Sequence, residues 1–230
     1  GQRDADPGAD VAVPDVGPEL PEPDSSAPIF PTARRFQVEL TWRRAGTQLG
    51  GGSPGGGLDP GDGFGKPSGA EDARRLAAVR KAVGGEFALM VDANQRFSAA
   101  EAVRRAARWA PLDLEWFEEP LPADDIDGHA RVAAASATPI AVGESLYSPG
   151  HFAEYLKRGA CGIVQVDVAR IGGITPWLKV AHMAEACNVP VCPHFLMELH
   201  VALCCAVPNA QWLEYIPQLD PITTSRLRIE

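Results

Sequence analysis

Hydrophobic and polar positions divide the chain at about residue 70. Beyond it, short apolar runs alternate with amphipathic stretches. Leu76, Val79 and Val83 fall on one face of a helix over 70–83, with Arg74, Arg75, Arg80 and Lys81 opposite. Gly84-Gly85 ends it, and a strand over 87–92 follows. Ser98 caps a helix to Trp109, and Glu101 three residues on predicts a capping box. Next come strand 114–118, a helix from Asp124 or Asp125 to about Ala135, and strand 139–144. Ser148-Pro149 opens a helix to Arg158. Strand 162–168, a helix over about 175–187, strand 189–194, a helix over about 197–206 and strand 211–215 complete the series.

Strands this apolar must be covered on both faces, which predicts a parallel sheet. The regular βα alternation predicts an α/β fold, a (β/α) TIM-type barrel whose complete form has eight strands. Residues 70–230 supply six of them. Upstream, only residues 35–42 alternate like a strand. Glycine and proline make up 24 of the first 69 residues. That composition predicts a disordered or loosely attached segment, 1–69, ahead of a partial barrel domain, 70–230.

Charge and cysteine usage narrow the function. A net charge of −9 argues against nucleic acid and anionic membrane as partners. A small anionic substrate remains compatible if a bound cation supplies positive charge locally. No run approaches the ~18 apolar residues of a membrane span. The acidic start, Gly1 to Asp6, is unlike a signal peptide. The five cysteines, 161, 187, 192, 204 and 205, lack CxxC spacing and lie in apolar contexts. Buried free thiols and a cytoplasmic location are the expectation. Core packing is likewise the expectation for His129, His151, His182 and His200.

The candidate chemistry lies at the strand ends. Asp92, Glu118 and Glu144 each close an apolar run, at a spacing of 26 residues. In a barrel such positions share one mouth. Three adjacent carboxylates repel unless neutralised, and Mg²⁺, a hard cation with oxygen ligands, is the natural candidate. Asp167 and His194 end the next two strands. A carboxylate beside an imidazole holds its tautomer and raises its pKa, which suits a general base. Glu214 closes the last predicted strand.

Val91-Asp92-Ala93-Asn94-Gln95, Phe117-Glu118-Glu119-Pro120-Leu121, Val142-Gly143-Glu144, the run from Val166 to Gly173 and Pro193-His194-Phe195 resemble, in order and spacing, the enolase superfamily, mandelate racemase/muconate lactonizing subgroup. Asp124 to His129 and Pro193 to His200 look most like its acid-sugar dehydratases of the galactarate and talarate type. The resemblance covers about 66–230. It implies Asp92, Glu118 and Glu144 as Mg²⁺ ligands, and His194 as the acid/base with Asp167 as its partner. It also implies Asn94 and Glu214 as contacts to the substrate or its enediolate. The implied reaction is Mg²⁺-dependent removal of the proton α to a carboxylate, leading to dehydration of a sugar acid. Racemisation or epimerisation by the same subgroup, and an inactive remnant, are the rivals.

The resemblance also implies a Lys-x-Lys strand and an α+β capping domain. Neither is recognisable upstream, where Lys66 alone stands near the expected place. Residues 1–65 are therefore expected to be an unrelated or frame-disrupted replacement for the family's N-terminal region, and the chain to stop short of its relatives' end. Oligomeric state is left open.

Overall fold

The computed structural model describes residues 69–216. The strand predicted over 35–42 and Lys66 lie outside them. Helix α1 (Gly69–Val83) leads into strand β1 (Leu89–Asp92). Then come α2 (Ala99–Trp109), a 3₁₀ turn (Ala110–Leu112), β2 (Leu114–Glu118), α3 (Ile126–Ala135), β3 (Ile140–Val142), α4 (Pro149–Lys157), β4 (Ile163–Val164), α5 (Ile174–Ala186) and α6 (Met197–Cys205). The strands pair in sequence order, β1-β2-β3-β4, and every pairing is parallel. This is the open βα succession of a partial barrel. Among the described residues, no helix is long and apolar enough to cross a membrane.

The last two predicted strands shrink to single bridges, Val164 to Val191 and Val191 to Ala210, both parallel. Pro190 and Pro193 flank Val191 and have no N–H to give a ladder. The strand predicted over 162–168 is regular only at Ile163–Val164. Beyond it, backbone groups turn to side chains. The Val166 carbonyl accepts from Trp177 Nε1 at 3.1 Å, and the Val168 amide donates to His200 Nε2 at 3.0 Å.

The helix ends follow their caps. Ser98, Asp125 and Ser148 each accept the backbone N–H three residues on. The capping box is only half formed, because the Glu101 carboxylate is taken by Arg104 and Arg105. Gly84, at φ 85°, closes α1 by donating to the Arg80 carbonyl at 3.0 Å. Arg80, expected on the solvent face of α1, instead binds four carbonyls, those of Leu112, Gly84, Phe87 and Asp113, at 2.5–2.9 Å. Val83, expected on the buried face, is exposed at the last turn.

Two apolar clusters lie on opposite faces of the sheet, as pleating requires. Leu89, Val91, Phe117, Ile140, Val142 and Val164 face the helices, where Leu76, Trp109, Phe152 and Trp177 cover them. Met90, Trp116, Ala141, Ile163 and Cys192 form the other cluster, with Trp212 edge-on to Trp116 at 6.3 Å. Counting on by two from this second set reaches Asp92, Glu118, Asp167, His194 and Glu214. Counting on from Ala141 reaches Gly143. A Cβ there would stand 2.4 Å from the Gln165 backbone. Glu144 is therefore one residue out of phase with the other acids.

Buried free thiols are found at Cys161, Cys192 and Cys204, whereas Cys187 and Cys205 sit exposed at helix ends. His129 and His200 are core histidines as expected, but His151 and His182 lie on the surface.

Helix α1 is pinned to α2 by a buried ion pair between Asp72 and Arg105, both almost without exposed surface. Removing one partner of such a pair strands a buried charge, at a cost of about 3–5 kcal/mol. Arg105→Met, which leaves Asp72 buried without its cation, should lower the urea-unfolding free energy by about that amount. Asp127→Ala, which breaks an exposed pair with Arg158, should leave the midpoint nearly unchanged.

Candidate active site

Asp92 and Glu118 are register partners at the ends of β1 and β2, and both are buried. Burial pushes the Glu118 carboxyl well above the ordinary range, and the charges of Asp92 and Glu214 push it further. Hydrogen bonds from Gln165 and Trp116 oppose this only in part. Asn94 holds both oxygens of Asp92, with its amide N–H at 2.7 Å and its side-chain Nδ2 at 2.6 Å. That grip needs Asn94 in the left-handed region, at φ 45°, a conformation asparagine tolerates better than most residues.

His194 stands between two carboxylates. Its Nδ1 is 2.8 Å from Asp167 Oδ2, and its Nε2 is 2.9 Å from Glu144 Oε2. Burial alone would lower the His194 pKa. The hydrogen bonds to Asp167 and Glu144 outweigh it and raise the pKa to about 10. Burial likewise works to raise Asp167, but His194 and the amides of Arg170 and Ala169 bring its carboxyl below the usual range. Glu144 is held low by its hydrogen bond with His194, against burial, and by Arg170. Both carboxylates are thus ionised acceptors, so both ring nitrogens of His194 donate, and the ring is an imidazolium.

Glu214 reaches the same place by another route. Its Oε2 accepts the Phe195 amide at 2.5 Å, and its charge acts on both Glu118 and His194. It stands between a pair, Asp92–Glu118, and a triad, Glu144–His194–Asp167.

The seven residues singled out in the sequence therefore come to one end of the sheet, but not round one point. Among the described residues, no three His, Cys, Asp or Glu side chains are arranged to hold a metal ion. Glu144 is instead engaged by His194 and Arg170. The donor chemistry nonetheless fits a hard divalent cation. All three are carboxylates, and the buried Asp92–Glu118 pair carries like charge that a cation would relieve.

Three further residues belong to the site. Arg170 donates to the Glu144 carbonyl at 2.7 Å, and its guanidinium lies 3.6 Å from Glu144 Oε1 and 4.0 Å from Asp167 Oδ2. Glu119 is buried, and burial followed by the charge of Glu144 raises its pKa. Gln95 binds Glu119 Oε2 at 3.0 Å and Ser145 Oγ at 2.7 Å through Nε2, and accepts the Ala123 amide at 2.9 Å. Sequence position offers a signal for each, since each adjoins a singled-out residue or lies within three of one. Their partners come from other loops and have no local mark.

A family model described as enolase C-terminal domain-like matches residues 45–230. L-talarate/galactarate dehydratase of Salmonella typhimurium is 45% identical over 165 residues, covering 72% of this chain and 42% of the relative. Arabinonate dehydratase of Saccharolobus solfataricus is 36% identical over 158 residues, covering 66% of this chain and 42% of that protein. A crystal structure of L-talarate dehydratase from Polaromonas sp. JS666, complexed with Mg and L-glucarate, superposes with a TM-score of 0.69 at 43% identity. That match covers 72% of this chain and 46% of the other. The chain spans less than half the length of these relatives. With most of its length inside the matched region, the chain belongs to the enolase C-terminal domain-like family.

Proposed function

We propose that this chain carries the acid/base and cation-binding half of a site that removes the proton α to a carboxylate and dehydrates a sugar acid. The observation that carries the reading is His194, fixed through Nδ1 by buried Asp167 and presenting Nε2 to Glu144 at the same end of the sheet as Asp92 and Glu118. The dehydratases and the Mg- and L-glucarate-bound structure among the relatives support the substrate class.

Asp167 sets the tautomer, because its ionised carboxylate keeps the Nδ1 proton and leaves Nε2 as the working nitrogen. In the arrangement described, Nε2 is shared with Glu144 and holds its proton tightly. It becomes a base once that proton has left to solvent and Glu144 no longer shares the nitrogen. The α C–H bond then breaks, the proton passes to Nε2, and the electron pair enters the carboxylate-conjugated system. Next the β C–O bond breaks, and the same proton leaves with the hydroxyl as water. The enol that remains becomes a 2-keto acid. Asp92, Glu118 and Glu144 are the residues that would hold Mg²⁺, which when bound would neutralise the substrate carboxylate and the charge developing on it. Asn94 holds Asp92 in place and stands exposed at the mouth, where a substrate hydroxyl would meet it. Glu214 keeps the His194 backbone in position and faces the same space.

A panel of aldarates and aldonates, scored for 2-keto acid, tests the reading. His194→Ala should cut turnover by about 10²–10⁴-fold, and turnover that survives it would sink the assigned base. Saturating Mg²⁺ should raise the melting temperature, by about 2.7 kcal/mol of stabilisation at a hundred times Kd. Glu118→Gln should abolish that gain while raising the metal-free melting temperature above pH 5 or so, where ionising Glu118 destabilises the fold. A pH series adds an independent check. His194 binds its proton more tightly folded than unfolded. Its contribution is therefore full below about 6.5 and fades as pH climbs through about 10. The melting temperature of His194→Ala should fall less steeply than wild type over that window.

A further inference from the structure

His200 is completely buried, and its two ring nitrogens each meet one backbone group. Nε2 accepts the Val168 amide at 3.0 Å, and Nδ1 lies 2.8 Å from the Phe195 carbonyl. An amide can only donate and a carbonyl can only accept, so the ring is neutral with its proton on Nδ1. Burial favours the same form by lowering the pKa. Protonating Nε2 would set two donors against each other.

The two backbone groups are not arbitrary. Val168 directly follows Asp167, and Phe195 directly follows His194. One ring therefore ties the peptide unit that follows Asp167 to the Phe195–Leu196 peptide, one residue past His194.

Other contacts complete the frame. The carbonyl of Val166, on the other side of Asp167, accepts from Trp177 Nε1 at 3.1 Å. The Trp177 ring itself lies against His200, with centroids 6.1 Å apart. Phe195 and Leu196 both adopt left-handed backbone, at φ 58° and 32°, a conformation that L-residues enter at a cost. Glu214 holds the N–H of Phe195 and His200 holds its carbonyl, so the two peptides flanking Phe195 are each held.

A histidine that merely filled the core would need partners somewhere, but not these two. We propose that His200 is a positioning residue, which sets the separation and angle between Asp167 and His194 by spanning the Val168 amide and the Phe195 carbonyl. The proposal rests on the reading of Asp167 and His194 as a working pair.

Three variants of the full chain separate its parts. His200→Gln keeps an acceptor near the Val168 amide and loses the donor. His200→Asn keeps a donor near the Phe195 carbonyl and loses the acceptor. His200→Phe removes both at similar volume. The readout is proton and nitrogen NMR of histidine-labelled chain, which needs no turnover. Wild type should show a far-downfield His194 Nδ1–H resonance that disappears in Asp167→Asn, and a neutral Nδ1–H tautomer at His200. In His200→Phe the downfield resonance should be lost while helical circular dichroism and cooperative unfolding persist. The Gln and Asn variants should each shift or broaden it. Where turnover is measured, kcat should fall up to about 10²-fold, as misplacement of a reacting group by about 1 Å does, with KM little changed. If His200→Phe does not fold, the Gln and Asn variants decide. A downfield resonance unchanged in every folded His200 variant overturns the proposal while leaving the pair intact. Wild type lacking any Asp167-dependent resonance overturns the pair itself, and this proposal with it.

Discussion

Carboxylates buried at the ends of neighbouring parallel strands repel one another, and the rest of the site is arranged around that repulsion. Two answers stand side by side. Glu144 and Asp167 are satisfied from within the protein, by the His194 imidazolium and the Arg170 guanidinium. Asp92 accepts from Asn94 and Glu118 from Trp116, while burial and the charge of Asp92 raise the pKa of Glu118.

The starts of α2, α3 and α4 were legible because each carries its own start signal. Ser98, Asp125 and Ser148 act locally, so the residue type and its position suffice. The acids and His194 were legible for a related reason, since closing an apolar run is a sequence-local property. What could not be read is what depends on partners far along the chain. The half-formed capping box is the local exception, since Glu101 had two arginines on its own helix to choose from. Arg80 read as a surface residue because the carbonyls it binds belong to segments up to 33 residues away. The strand over 162–168 read as continuous because nothing local reveals that Trp177 and His200 take its backbone groups.

The three acids illustrate a subtler limit. Their equal spacing along the chain suggested equal placement. Spacing between strands says nothing of phase within a strand, and the pleat turns one residue of phase into the opposite face. Gly143 sits where the third inward side chain would be, and the backbone of Gln165 leaves no room for one. Glu144 reaches the site from the next position along, which is how it comes to lie against His194.

Gln95 gives this arrangement a collective character. Its one carboxamide touches the loops that follow β1, β2 and β3, each of which trails an acid of the site. The three loops therefore share one side-chain fastening, beside the backbone bonds that join the first two at Gln95–Glu119 and Phe97–Pro120. A change of sequence in any one of them is felt by the other two, so substitutions near the mouth should be tolerated in matched sets rather than singly.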